Sequence, residues 1–158
     1  MSTRIEHALA QTLAVVEYDR RFLAASWDWL NDEEIRALTH TPIFSRDDQE
    51  RWFESLPSRN DYLVWGVELD GEPIGVFGIK NITSGTGEYW GYIGRKDLWG
   101  RGIGRWMIER ALERAAAANL SRLNLKVVPA NSRAIRLYRD MGFVQTKSEE
   151  GLLHMERA

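Results

Sequence analysis

The sequence contains no cysteine among its 158 residues. This absence excludes disulfides, thiolate metal ligands and a cysteine nucleophile, and it fits a reducing cytoplasm, where we expect the protein to reside. The chain also lacks any apolar run that approaches the roughly 20 residues needed to span a bilayer. Its first residues show no basic segment followed by an apolar one. We therefore expect neither a transmembrane helix nor a signal peptide.

Metal ligands and excess charge are scarce as well. The histidines His7, His40 and His154 are scattered, and none pairs at short spacing with another metal ligand, so we expect no metal. A formal net charge of −2 argues against general nucleic-acid binding. The hydrophobic fraction of 44% and the charged fraction of 28% are typical of globular proteins, and the length predicts one domain over residues 1–158.

Apolar periodicity and turn signals predict a mixed α/β order. A helix is expected over residues 19–38, broken near Asn31-Asp32, and Ser45 is placed to cap another over 46–56. Asp70-Gly71 is a strong hairpin signal. The other predicted elements are strands over 13–17, 62–69, 73–82, 87–94, 122–128, 143–147 and 152–157, and helices over 101–119 and from the cap Asn131 to about 141.

Three glycines at alternate positions occur where a helix begins. Residues 99–105 read WGRGIGR, and the apolar residues of 106–115 recur three and four apart, as in an amphipathic helix. A loop without side chains lets its backbone approach a ligand, and the first N–H groups of a helix have no intrahelical partner. These free donors, at the positive end of the helix dipole, make a phosphate site. A purely structural glycine turn is the alternative.

A second signature follows in residues 131–143, where Leu137-Tyr138 precedes Gly142-Phe143. The two signatures together resemble the GNAT superfamily of N-acetyltransferases. That family's glycine motif is a Gln or Arg, two residues, Gly, one residue, then Gly or Ala. Gly102 and Gly104 match this motif, whereas Trp99 occupies the Gln/Arg position. A tryptophan there resembles the branch containing ribosomal-protein N-terminal and amino-sugar acetyltransferases.

The resemblance covers nearly the whole chain and implies one α+β domain. Its central sheet would be mixed and mostly antiparallel, flanked by about four helices. In the family a bulge splays the strand before the glycine loop away from its neighbour, and the exposed edge of that strand pairs with the pantetheine arm of acetyl-coenzyme A. The expected cosubstrate is therefore acetyl-coenzyme A, and the residues that the resemblance assigns to it are Tyr92, Ile93, Gly94, Gly100, Arg101, Gly102, Ile103, Gly104, Arg105 and Asn131.

Two of these assignments compete with simpler roles. Arg101 and Arg105, together with Arg95 and Lys96, could instead form a solvated surface. Asn131 could serve only as the cap of its helix.

The implied reaction is attack of an amine on the acetyl thioester. An alkylamine with a pKa of about 10.4 is mostly protonated at neutral pH, and supplying its free form costs roughly 4 kcal/mol. Glu88 is the candidate base, acting through water, although an outward-facing strand glutamate is the alternative. A tyrosine with a pKa near 10 stays protonated and can donate to the leaving thiolate, a role that Tyr138 fits. The N–H near Ile93 is the expected oxyanion donor, and direct transfer is favoured over an acyl-enzyme.

The N-terminal helices and the loop after them are expected to select the acceptor. Residues 29–36, 45–53 and 74–82 resemble acetyltransferases of nucleotide-linked amino sugars, such as those of the pseudaminic acid pathway. An N-terminal protein acetyltransferase and a catalytically silent acyl-coenzyme A-binding module are the alternatives. We expect a small-molecule amine as partner, neither nucleic acid nor membrane, and a homodimer as the candidate assembly.

Overall fold

The computed structural model describes residues 12–158, which form seven strands and five α-helices. The predicted order of elements is confirmed. The helix expected over 19–38 is divided at Asn31-Asp32 into two helices, because Asp32 caps a new one, and this raises the helix number to five. The elements are β1 (Leu13–Glu17), α1 (Arg20–Leu30), α2 (Glu33–Thr39), α3 (Arg46–Ser55), β2 (Leu63–Leu69), β3 (Glu72–Thr83), β4 (Thr86–Ile93), α4 (Ile103–Ala117), β5 (Arg122–Val127), α5 (Ser132–Asp140), β6 (Val144–Glu149) and β7 (Leu152–Arg157).

Local chemistry sets the element boundaries. The Ser45 hydroxyl accepts from the Asp48 N–H while the Asp48 carboxylate accepts from the Ser45 N–H, a capping box that confirms the predicted start of α3. The β2–β3 hairpin turns at Asp70 and Gly71, with φ of 52° and 83°. Both residues are therefore left-handed, as a two-residue turn between twisted strands requires.

All seven strands form one sheet in the order β1-β2-β3-β4-β5-β7-β6. Every neighbouring pair is antiparallel except β4 and β5, which are parallel and joined through α4. Side chains alternate between the two faces, so neighbouring residues join different cores. Phe77 packs in the core beneath α4 and α5, whereas Val76 packs with Phe22 and Leu23 of α1. The sheet therefore carries α4 and α5 on one face and the N-terminal helices on the other.

The central strands separate at one end. β4 pairs with β5 only over Thr86–Glu88, opposite Arg122–Asn124. β4 nevertheless continues beside β3 to Ile93, and β5 continues beside β7 to Val127. The segment 89–93 of β4 thus has an edge that no described strand covers. A register shift between β3 and β4 lies between Lys80 and Thr83, beside the part of β4 that pairs with β5.

Close packing between α1 and β2 depends on Gly66. A Cβ built on Gly66 would lie 2.3 Å from the ring of Phe22, which is fully buried. We expect Gly66→Ala to lower the free energy of unfolding by about 1–3 kcal/mol, because the ring cannot move without disturbing its own core. Chemical denaturation measures this change.

Gly71→Asn is the matched control. A Cβ on Gly71 meets nothing within 4 Å, and asparagine tolerates the left-handed turn conformation. Asparagine adopts this φ of 83° at lower cost than other L residues, so this variant should lower the unfolding free energy less than Gly66→Ala does. Equal losses in the two variants would contradict the packing argument.

Candidate active site

The uncovered edge of β4 presents backbone groups to the gap between β4 and β5. The Gly94 N–H donates to the Ile74 carbonyl of the strand β3, at 2.7 Å. Backbone groups of successive strand residues point to opposite sides, so the N–H and C=O of Ile93 point away from β3 and into the gap. The Tyr92 carbonyl points the other way, since it lies 2.7 Å from where a Cβ on Gly75 of β3 would be. Alternation therefore directs Gly91 and Ile93, rather than Tyr92, to the open side.

Trp99, in the loop that follows β4, contacts the last residue of this edge. Its indole Nε1–H donates to the Ile93 carbonyl at 2.9 Å. Trp99, which occupies the Gln/Arg position of the motif, is thus hydrogen-bonded to the last residue of β4. This bond holds the loop against the strand. The Ile93 carbonyl gains a partner within the protein, and the N–H of Ile93 remains directed at the gap.

The glycine loop leads into α4 with its amides uncapped by any side chain. Gly102 is the N-cap residue, with φ of 87°, and Gly100 has φ of 76°. A Cβ on Gly102 would meet nothing within 4 Å, so its left-handed backbone, rather than crowding, calls for glycine. Gly104 has a different task, because a Cβ there would lie 3.2 Å from Leu137 of α5. The N–H groups of the first turn of α4, beginning at Ile103, have no side-chain cap, an arrangement that favours an anion at a helix start.

The cationic side chains around this loop divide into two groups. Arg95 pairs with Asp97 at 2.7 Å, Lys96 pairs with Asp32 at 2.9 Å, and Arg105 turns towards Asp140 at 3.7 Å. These three cations are therefore engaged on the surface.

Arg101 and Arg133 make no ion pair within residues 12–158. Arg133 was not singled out from the sequence, yet its guanidinium lies 3.7–3.8 Å from where a Cβ on Gly100 would be. The available sequence signal for Arg133 was its position two residues after Asn131, in the first turn of α5, which packs beside the glycine loop.

Tyr138 lies on the α4–α5 face of the opening. Its ring packs edge to face against Tyr89 and Phe143, with centroid separations of 6.3 and 5.9 Å. Burial raises the pKa of Tyr138 to about 12, so the phenol keeps its proton well above neutral pH. Its hydroxyl makes no hydrogen bond to any described residue and is therefore free to donate.

A second phenol, which sequence reasoning missed, lies beside Tyr138. Tyr89 is 4% exposed, and its hydroxyl lies 2.7 Å from where a Cβ on Gly91 would be. Burial, and then the nearby Tyr138, raise the pKa of Tyr89 well above its ordinary value. The period-two alternation of β4, which places Tyr89 and Gly91 on one face, was the available signal.

Glu88 lies on the opposite face, at the last residue pair between β4 and β5. It is 8% exposed, and its Oε1 accepts from Asn81 Nδ2 at 3.2 Å. Two ammonium groups flank the carboxylate, with Lys80 Nζ and Lys126 Nζ each 3.8 Å from one of its oxygens. Asn81 reaches Glu88 from the register shift of β3, where its φ is 52°. The carboxylate is thus enclosed and paired rather than solvated on an open strand.

Other expected site residues have structural partners. The Tyr92 hydroxyl donates to Ser26 Oγ at 3.0 Å, which places that side chain against α1. The Asn131 side chain accepts from the Ala134 N–H at 3.3 Å, so Asn131 caps α5. Trp29 packs on Gly94, where a Cβ would lie 2.0 Å from the indole. Gly94 is therefore required for packing as well as for its place beside the gap.

Residues 12–158 contain no group of three potential side-chain ligands arranged to hold a metal ion. His7 lies outside the described residues. No helix in the described part of the chain is both long and apolar enough to cross a bilayer.

The open strand edge of β4 lies beside the uncapped start of α4. Comparison with known proteins identifies the family. The model of the acetyltransferase (GNAT) family matches residues 23–143, and the chain belongs to this family. It is an acetyl-coenzyme A-dependent N-acetyltransferase. A search of curated proteins found no match.

Solved structures with the same fold include several acetyltransferases. Spermidine N-acetyltransferase from Vibrio cholerae, in complex with coenzyme A and spermine, is 23% identical, with a TM-score of 0.82, covering 92% of this chain and 95% of that one. A domain from Methanocaldococcus jannaschii is 19% identical, with a TM-score of 0.82 and coverages of 91% and 96%. PaiA N-acetyltransferase from Thermoplasma acidophilum, in complex with coenzyme A, is 18% identical, with a TM-score of 0.73 and coverages of 92% and 98%. At these identities the likeness shows the fold.

The glycine loop offers a direct test of anion binding. Gly102→Glu should raise the Kd for coenzyme A more than tenfold, because it adds a negative charge at the positive end of α4. Isothermal titration calorimetry measures this change. Gly102→Asn is the control, since asparagine tolerates the left-handed conformation and carries no charge. Equal affinities of the Glu and Asn variants would show that no phosphate binds there.

Proposed function

We propose that the protein moves an acetyl group from acetyl-coenzyme A directly to a small primary amine at the opening between β4 and β5. One observation carries this proposal: the open strand edge lies between an unbonded phenol on one face and an enclosed carboxylate on the other. The uncapped start of α4 adjoins the same opening. A donor, an acceptor of protons and an anion site thus surround one gap.

The cosubstrate would lie along this edge. Its pyrophosphate would be bound by the amides of residues 100–105, with Arg101 and Arg133 adding charge-assisted bonds. Its pantetheine arm would run beside β4 at Ile93 and Gly94, with Asn131 close to it and Tyr92 holding the strand from behind. The unpaired backbone groups of β4 support this placement, because an extended arm can bond to them as another strand would.

The chemical step needs two proton movements. The amine nitrogen attacks the thioester carbon, and the carbonyl oxygen takes the negative charge of the tetrahedral intermediate, facing the Ile93 N–H. The C–S bond then breaks, and the thiolate takes the Tyr138 proton. The surplus proton of the amine passes through water towards Glu88. The products are the amide and free coenzyme A, with one proton released to solvent and the Tyr138 proton restored from it.

Tyr138→Phe tests the proposed acid. We expect kcat to fall about 100-fold, since general-acid catalysis typically contributes that much. The Kd for coenzyme A should change less than threefold, because no backbone donor is altered. Since the pKa of Tyr138 is about 12, the wild-type kcat should show no loss from this group up to about pH 10.

Tyr18→Phe serves as the control for Tyr138→Phe. It removes a buried hydroxyl that donates to Ser26 at 3.3 Å, on the face of the sheet opposite to Tyr138. It should lower thermal stability and leave kcat within twofold. An unchanged kcat in Tyr138→Phe would remove that residue from the mechanism.

Glu88→Gln tests the proposed base. The amide can still accept from Asn81, yet it cannot take a proton, so kcat/KM at neutral pH should fall at least tenfold. The acidic limb of the pH–rate profile should also change. Glu156→Gln, which alters a carboxylate paired with Arg122 at 2.8 Å, should leave the profile unchanged. An acidic limb that is the same in wild type and Glu88→Gln would exclude Glu88 as the base.

Three classes of amine are candidates for the acceptor. The sequence fragments favour a nucleotide-linked amino sugar, and the names of the Vibrio cholerae relatives favour a polyamine. A protein N-terminus is the third candidate. Thiol release from acetyl-coenzyme A in the presence of each class separates them. If the protein binds coenzyme A but no amine causes thiol release from acetyl-coenzyme A, the protein would be a catalytically silent binding module.

Location and assembly are also part of the proposal. We place the protein in the cytoplasm, which the lack of cysteine and the use of acetyl-coenzyme A support. We also propose a homodimer, which sedimentation would test. One relative from Vibrio cholerae is described as dodecameric, a statement about that protein.

A further inference from the structure

Lys80 and Lys126, which we call the lysine pair, flank the proposed base from two different strands. Lys80 lies on β3 and is paired in register with Glu88, while Lys126 lies on β5, two residues beyond the last residue that pairs with β4. Each Nζ is 3.8 Å from the Glu88 carboxylate. The lysine side chains are 38% and 43% exposed, whereas that of Glu88 is 10% exposed. The ammonium groups therefore reach solvent, and the carboxylate between them is largely covered.

The position of Lys126 places this charge where an acceptor must enter. Leu125 and Val127 are buried beneath α4 and α5, so the side chain of Lys126 lies on the opposite face of the sheet. Lys126 also lies in the part of β5 that has parted from β4, and its ammonium reaches back to Glu88 across the opening. Tyr138 occupies the α4–α5 face. An amine that approaches the thioester from the other face passes the lysine pair.

Charges elsewhere on this face do not cancel the lysine pair. Lys147 pairs with Glu149 at 2.9 Å, and Arg122 pairs with Glu156 at 2.8 Å. Only Glu88 lies within ion-pairing distance of the lysine pair among the described residues. Glu149 also acts on Lys126 from beyond ion-pairing distance, but its own partner is Lys147. Two positive charges are therefore in direct contact with one carboxylate, that of Glu88, at the opening.

We propose that the acceptor is a primary amine that carries a carboxylate or phosphate close to its amino group. This inference rests on the proposed function and narrows its substrate. A cationic site lowers the pKa of a nearby alkylammonium, which favours the reactive free amine. The same charges attract an acidic group and repel a second ammonium, so the site disfavours a polyamine.

Matched acceptors test this inference. γ-Aminobutyrate is compared with its amide, glucosamine phosphate with glucosamine, and spermidine serves as the cationic acceptor. A nucleotide diphosphate-linked amino sugar is assayed beside them. Initial rates of thiol release from acetyl-coenzyme A give kcat/KM for each compound. The acid-bearing member of at least one pair should have a kcat/KM about fivefold or more above its neutral partner. The two pairs distinguish a carboxylate from a phosphate.

Variants connect the preference to the lysine pair. Lys126→Gln should remove most of the fivefold preference, because it lowers kcat/KM for the acid-bearing member of a pair more than for its neutral partner. Arg122→Gln is the matched control, because Arg122 is paired with Glu156 at 2.8 Å and lies four residues, about 13 Å, from Lys126 along β5. It should keep the full preference. A thermal-shift series with coenzyme A present reports acceptor binding in the same variants.

Each outcome supports or overturns the inference. Equal kcat/KM within both pairs, a preference for spermidine, or an unchanged preference in Lys126→Gln would overturn it. So would a protein that binds coenzyme A yet neither acetylates an acid-bearing amine nor is stabilised by one. Failure to bind coenzyme A at all is a different result, because it overturns the proposed function itself.

Discussion

Three residue pairs join β4 to β5, and the site depends on where that ladder stops. Beyond Glu88 and Asn124 the two strands separate, yet each keeps its outer neighbour, β3 or β7. An unpaired strand edge in the middle of a sheet is costly, because its backbone groups need partners. Trp99 supplies one by donating to the Ile93 carbonyl. The N–H and C=O groups that remain unpaired can form hydrogen bonds with an extended ligand, as we propose for the pantetheine arm.

Side-chain alternation along β4 separates two kinds of chemistry. Tyr89 lies on the face that also receives Tyr138, and burial keeps both phenols protonated. Glu88, one residue earlier, lies on the other face between two lysines. A single strand thus places a phenol beside Tyr138 on one face and a carboxylate on the other. In the proposed reaction these two sides supply the proton donor and the proton acceptor. The thioester would lie between them, so each proton can move on its own side.

Local signals predicted the elements well and the site less completely. Ser45 and Asp70-Gly71 act through neighbours in the chain, so the cap and the turn could be foreseen. Arg133 and Tyr89 were missed, because one approaches Gly100 from a separate helix and the other is brought beside Tyr138 only by packing. The register shift between Lys80 and Thr83 was not foreseen, because it depends on how β3 and β4 pair.

The sequence by itself determined the order of elements, the helix caps and hairpin turns, and the glycine-rich start of α4. These features depend on contacts between residues that are close along the chain. Only the tertiary structure decided that Trp99 is bonded to Ile93, that Arg133 lies over the glycine loop, and that Lys126 reaches Glu88 across the opening. Such contacts depend on how separate strands and helices are placed in space, and a local pattern carries no information about that placement.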